Sequence, residues 1–292
     1  MNRKTGSLPR KVWLYWDQGF DQAPELIGRI SDAWGKMCLE KGWSLHRLDR
    51  NSIGSYIEIP LATEKMERLP KALQADLIRL LLLEKYGGVW SDATVLCRHP
   101  LERWLPQLVE PSGFFAFDRP AETRPMANWF MAATPENYLV KRLREEFVRF
   151  FELHDFPVPG PWRTWVGKRL KKWTERHGET ATQVWFHPWI TEGLKIYPYF
   201  LFHYLFALLL RTDERFRYLW EQTPRISAER MLGLKRYGLD RMADMEILEG
   251  LVDERLPLVK LDWKQARKSG EGSMLEALFQ RSQMEDMKGN EG

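Results

Sequence analysis

Residues Gln74 to Thr94, QADLIRLLLLEKYGGVWSDAT, hold the densest set of side chains in this sequence that can do chemistry. Asp76 and Arg79 lie three apart, which on a helix places them on one face. A surface ion pair is one reading, worth under about 1 kcal/mol. Leu77, Ile78 and the run Leu80 to Leu83 predict instead that much of this helix is buried. A buried charge needs a partner. Asp92 and Thr94 lie two apart on an expected strand, so their side chains point to the same side. They follow Gly87-Gly88, where the backbone can approach closely. In open α/β sheets, ligands bind beyond the carboxyl ends of strands. A carboxylate and a hydroxyl there suit a divalent cation or the hydroxyls of a ribose or sugar. A capped strand end is the alternative.

The elements that must position these residues read as α/β. Val12–Trp16 is a β-branched and aromatic run closed by Asp17-Gln18-Gly19, so a first strand is expected. Pro24 to Lys41 has helical spacing with Pro24 in the first turn. Trp43 to Leu48 alternates as a second strand, and strand, helix, strand in this order predicts a βαβ unit. Lys71 to Tyr86 is a strong helix stopped by Gly87-Gly88. Val89 to Leu96 reads as a strand, and Phe114–Phe117 and Trp129–Ala132 as two short ones. Tyr138–Phe151, Trp162–Arg176, Tyr199–Leu210 and the charged stretch Arg225–Gly250 are expected helices. Residues 1–268 are expected to form one domain, and 269–292, Gly/Ser-rich and then polar, a loosely ordered tail.

Composition narrows the class. The chain has 292 residues, 44% hydrophobic and 29% charged, which excludes wholesale disorder. Cys38 and Cys97 are the only cysteines, too few for a disulfide framework. The net charge of +4 is too mild to argue for nucleic acid. Fourteen tryptophans are unusual, and a few of them can stack on a base or a sugar. The longest apolar run, Ile196–Leu210, falls short of the about 20 residues of a spanning helix. No GxGxxG, P-loop, HExxH, GxSxG or CxxC motif is present. With no targeting segment evident, a cytoplasmic location is expected.

The run DLIRLLLLEKYGGVWSDATV resembles the signature of the capsular polysaccharide synthesis proteins, themselves similar to glycosyltransferase family 32, the sugar transferases with a DxD motif. The resemblance extends to VWLYWDQGFDQAPELI, MANWFMAA and YPYFLFHYLFALLLRTDERFRYLWEQTP, and ends near LVKLDWK. It implies a GT-A-like, Rossmann-type nucleotide-sugar-binding domain with a helical C-terminal half. It implies transfer of a sugar from a nucleotide-sugar, expected to be a UDP-sugar, to a glycan or glycolipid acceptor in bacterial capsule or lipopolysaccharide synthesis, with retention at the anomeric carbon. Carried over by position, Trp16 matches the aromatic that stacks on the base. Asp76 and Arg79 match the pair that grips the donor sugar. Asp92 matches the first aspartate of the DxD motif, and these three are the expected catalytic residues. Asp92 is also the expected ligand of Mn²⁺ or Mg²⁺.

The sequence departs from the pattern at Thr94, which stands where DxD has its second aspartate. A hydroxyl is a weaker ligand for a hard divalent cation than a carboxylate. A nucleoside diphosphate leaving group still needs its developing charge stabilised, by a cation or by preorganised donors. Lys260 and Lys264 flank Leu261-Asp262-Trp263, and one of them, with Lys264 favoured, is expected to reach the diphosphate. Asn128, His203 and Asp118 are candidates for the acceptor side, although a histidine on an apolar helix is more often a core residue. The helix Trp162–Arg176 has two readings. Its tryptophans pack into the core, or they dock at a membrane's headgroup level with the basic residues facing anionic lipid at the inner face. Two alternatives to the enzyme remain: a non-catalytic nucleotide-sugar-binding partner in a biosynthetic complex, and a peripheral membrane scaffold.

Overall fold

The computed structural model describes residues 6–289. The first stretch runs β1 (Lys11–Tyr15), α1 (Glu25–Glu40), β2 (Ser44–Leu48), α2 (Thr63–Arg68), α3 (Lys71–Tyr86), β3 (Gly88–Ser91) and β4 (Val95–Cys97). The middle runs α4 (Pro106–Val109), β5 (Phe114–Ala121), β6 (Arg124–Ala133), α5 (Tyr138–Leu153), α6 (Pro161–His177), α7 (Leu201–Thr212) and α8 (Glu214–Gln222). The last part holds α9 (Gly233–Tyr237), α10 (Met245–Leu251), β7 (Leu258–Lys260), α11 (Trp263–Ala266) and α12 (Met274–Gly289). The fold is α/β, with a largely helical C-terminal half.

The chain divides into two compact units, each assembled from separate segments. The first unit contains the residues through Lys11, Asn51–Trp90 and Pro106–Ser227. Its strands lie in the order β3-β6-β5. β5 and β6 are antiparallel, with Phe114 opposite Ala133 and Ala116 opposite Met131. The register shifts on either side of Asp118. α3 packs on this unit through Leu77, Leu80, Leu82 and Leu83, none of which is exposed. Each such leucine contributes roughly 1.5–3 kcal/mol of hydrophobic stabilisation. α3 stops at Gly87, whose N–H bonds the Leu83 carbonyl at 2.9 Å. Gly87 and Gly88 take φ of 62° and 89°, a region disfavoured for any residue with a Cβ. A Cβ on Gly88 would lie 2.6 Å from the Lys11 carbonyl oxygen.

The second unit contains Val12–Arg50, Ser91–Leu105 and the residues from Ala228 on. Here β2 lies beside β1, and β4 pairs with β7 in an antiparallel ladder that sets Val95 opposite Lys260. The Trp34 indole on α1 donates to the Val95 carbonyl at 2.8 Å, which seats α1 on β4. Arg98 donates to the carbonyls of Asp253 and Leu256 at 2.6 and 3.2 Å and so secures the turn before β7.

Two expected elements give way here, and two further segments are placed. Val89–Leu96 is not one strand: Asp92, Ala93 and Thr94 form a turn closed by Val95 N–H to Asp92 carbonyl at 2.9 Å. Arg225–Gly250 is not one helix but is broken into α9 and α10, with Gly238 at φ 123° between them. The tryptophans of α6 are not in the core: Trp162, Trp165 and Trp173 are 52%, 58% and 44% exposed. The segment expected as a loose tail carries α12, with Met274, Leu275 and Leu278 buried.

Candidate functional site

Two clusters of polar side chains stand out, one in each unit. In the first unit, Asp76 and Arg79 project from α3 with side chains only 8% and 5% exposed. Arg79 Nη1 lies 2.9 Å from Asp76 Oδ1. The same nitrogen donates to the Asn128 carbonyl of β6 at 2.7 Å. The Asn128 side-chain amide in turn donates to Asp76 Oδ1 at 2.9 Å. The guanidinium lies 5.1 Å from the ring of Trp90 and 5.6 Å from that of Phe202, within cation–π range. Burial costs the two charges their hydration, and these contacts offset it. The Asp76–Arg79 pair and Asn128, an acceptor-side candidate in the sequence, thus form one cluster.

In the second unit, the turn after β3 places Asp92 and Thr94 against the end of β7. Lys260 Nζ lies 3.0 Å from Asp92 Oδ2 and also hydrogen-bonds the Thr94 hydroxyl. The backbone holds these positions, since Leu261 N–H bonds the Thr94 carbonyl at 2.8 Å. The Lys260 side chain is 11% exposed and that of Asp92 29%. Asp92 and Thr94 are therefore brought together by a turn and a shared ammonium, not by a strand's pleat.

A divalent cation fits this donor set poorly. Mg²⁺ and Mn²⁺ favour carboxylate oxygens. The set offers one carboxylate and one neutral hydroxyl, and both already bond an ammonium. Among the described residues, no three His, Cys, Asp or Glu side chains gather as a metal site.

The other candidates take varied places. Trp16, half-buried after β1, meets Trp263 edge to face at 6.1 Å between ring centroids. Trp263 escaped the sequence reading, although it sits between the two lysines already singled out. Its turn is capped by Asp262, which accepts from Lys264 N–H at 2.9 Å and Gln265 N–H at 3.3 Å. The Lys264 side chain is exposed and its ammonium lies 5.8 Å from the Trp263 ring. Lys260, not Lys264, is the lysine at Asp92. Asp118 pairs with Arg225 at 2.9 Å. His203 is a core residue of α7, 5% exposed. Its pKa is pushed down to about 3 by burial first and then by Arg124 and Arg79, so the ring is neutral near pH 7.

Residues 1–158, more than half of the chain, match the family described as capsular polysaccharide synthesis protein. The chain belongs to that family. The match takes in α3, the Asp92 turn and β6, and stops short of Lys260. Relatives of this family member include the O-glycosyltransferase braB of Annulohypoxylon truncatum, 29% identical over 49% of this chain and 38% of that protein. The glycosyltransferase afumC of Aspergillus fumigatus is 29% identical over 49% of this chain and 41% of its own length. The chain thus spans about two fifths of the length of these curated relatives. A solved structure, the PaToxG glycosyltransferase, is 12% identical with a TM-score of 0.36, covering 84% of each chain.

Proposed function

We propose that this capsular polysaccharide synthesis protein is a glycosyltransferase. It moves a sugar from a nucleotide-sugar, a UDP-sugar in the reading we favour, to a glycan or glycolipid acceptor of a surface polysaccharide, capsule or lipopolysaccharide. The observation that carries the reading is the buried Asp76–Arg79–Asn128 cluster on an otherwise apolar helix. A buried ion pair is often no more stabilising than apolar residues of the same size. Its presence in the leucine-rich α3 therefore points to a task other than packing. Names of glycosyltransferases among the relatives support the same reading.

The chemistry follows from the groups present. Asp76 accepts from, and Arg79 donates to, hydroxyls of the donor sugar, in a geometry set before the ligand arrives. Trp16 offers a face to the nucleotide base. Asp92, partly exposed, takes ribose or sugar hydroxyls. In transfer with retention, the bond from the anomeric carbon to the diphosphate oxygen breaks and its electron pair stays on that oxygen. The acceptor oxygen bonds the anomeric carbon on the same face, and the acceptor's proton passes to the leaving phosphate oxygen. No protein base is required for that step.

The test is a thermal-shift screen against UDP-, GDP-, CMP- and dTDP-sugars, followed by assay of nucleotide release. A donor at 100 times its dissociation constant should stabilise the chain by about 2.7 kcal/mol. A shift with one nucleotide class, and release of that nucleotide, are expected. A shift without nucleotide release would favour a non-catalytic nucleotide-sugar-binding partner, and absence of both across the panel would overturn the reading.

A second observation bears on where the acceptor lies. Trp162, Trp165 and Trp173 are exposed on α6 beside Arg163, Lys168, Arg169 and Lys172. Trp189 and Tyr199 of the same unit are 65% and 64% exposed. Exposed tryptophans among basic residues suit the headgroup layer of an anionic membrane. No helix among the described residues is long and apolar enough to cross a membrane. We therefore propose peripheral docking at an inner membrane face, presenting the chain to a lipid-linked acceptor. The chain should co-sediment with phosphatidylglycerol vesicles and not with phosphatidylcholine ones, and Trp162→Ser with Trp165→Ser should release it. Unchanged sedimentation of the double variant would count against docking through α6.

A further inference from the structure

The Lys260 ammonium bonds the two side chains that stand at the DxD positions, Asp92 and Thr94. We propose that Lys260 is the resident cation of the diphosphate site, and that nucleoside diphosphates bind this chain without a divalent metal. The inference rests on the transferase reading and deepens it.

Three observations carry it. First, Nζ bonds both side chains a DxD metal would use, Asp92 Oδ2 at 3.0 Å and the Thr94 hydroxyl. A metal ligated by Asp92 and Thr94 would have to displace the ammonium, because two cations cannot share those oxygens without strong repulsion. Second, the charges balance. Two carboxylates with a divalent cation sum to zero, and so do one carboxylate, one hydroxyl and one ammonium. Thr94 removes one negative charge, and the ammonium supplies one positive charge fewer than the metal. The two changes compensate, so the neutral hydroxyl at 94 is what a monovalent cation requires.

Third, Lys260 is positioned as a fixed group. It ends β7 with its Cα opposite that of Val95, and the ladder continues through Leu261 N–H to the Thr94 carbonyl at 2.8 Å. Asp92 and Thr94 then orient the head of a side chain that is otherwise flexible. A charge held in place before the reaction stabilises a developing anion without reorganisation. In the transfer step, the anomeric carbon to oxygen bond breaks and its electron pair stays on the diphosphate. The ammonium donates a hydrogen bond to that diphosphate and keeps its own proton. The proton that neutralises the leaving oxygen comes from the acceptor hydroxyl.

The experiment is calorimetric titration with UDP and GDP, each in chelator and in Mn²⁺. One of the two is expected to bind with the same affinity in both buffers. Lys260→Met should weaken that binding by about tenfold or more in both, since a charge-assisted contact is lost, while Lys260→Arg should retain most of it. The double variant Thr94→Asp with Lys260→Met, which recreates two carboxylates without the ammonium, should bind only when Mn²⁺ is present. Regained binding also shows that the chain folds with methionine at position 260. Loss of wild-type binding in chelator would overturn the proposal while leaving the transferase reading standing. So would unweakened binding by Lys260→Met, or a folded double variant that Mn²⁺ does not restore. Failure of wild type to bind either nucleotide in either buffer would overturn this proposal, and the transferase reading would then stand or fall on the full donor panel.

Discussion

Arg79→Met is expected to lower folding stability by about 3–5 kcal/mol and to abolish sugar transfer. The arginine is 5% exposed and bonds Asp76 and the Asn128 carbonyl. Without it, the Asp76 carboxylate stays buried with its principal counter-charge gone. That uncompensated charge, more than the lost contact, sets the cost. The double variant Asp76→Leu with Arg79→Met removes both charges and replaces them with apolar side chains of similar size. It should recover most of the lost stability and none of the activity, because the cost belongs to breaking the pair and the chemistry to the pair itself. Urea denaturation and nucleotide release, measured on both variants, check this. A double variant as unstable as the single would show that the pair is structural. A double variant that still transfers sugar would remove Asp76 and Arg79 from the site.

Gly88→Ala carries the second large effect. Its φ of 89° is disfavoured for alanine by roughly 1–2 kcal/mol. The added Cβ would also sit 2.6 Å from the Lys11 carbonyl oxygen and 3.0 Å from Lys11 Cβ, so backbone must move. Overpacking of this kind costs typically about 1–3 kcal/mol more. Together they predict a loss of about 2–5 kcal/mol, read as a lower midpoint in urea. Gly28 is the control. It lies inside α1 with open space where a Cβ would go, and Gly28→Ala should stabilise by about 0.5–1 kcal/mol. Equal midpoints for Gly88→Ala and wild type would mean that β3 does not need its close approach.

The elements legible in the sequence were those with a local cause. α3 was read at its observed limits, because its apolar run meets two glycines that take positive φ. α1 and α5 lie within a residue or two of the expected helices, since their buried residues recur at helical spacing. The errors fell where a local signal was ambiguous. Val89–Leu96 is apolar enough for one strand, yet Asp92 and Thr94 are turn-compatible residues, and the turn wins because the backbone then bonds β7. The tryptophans of α6 repeat as a buried face would, but spacing shows only that they share a side, not what covers that side. Trp263 carried no local signal beyond its two flanking lysines.

By itself, the sequence determined the helix that bears Asp76 and Arg79, their shared face, the glycine stop and the presence of Asp92 and Thr94 beyond it. These depend on contacts between residues a few positions apart, which residue type and spacing control directly. Only the tertiary structure decided that Asn128, 52 residues from Asp76, completes the first cluster, and that Lys260, 168 residues from Asp92, completes the second. The sequence reading favours Lys264 for the diphosphate, whereas the structure places Lys260 at Asp92 and Thr94. The β4–β7 ladder separates them, because it puts one lysine at the last paired position of a strand and the other on the exposed side of a one-turn helix. Strand register is a long-range pairing of backbones, and no local run of residues encodes it.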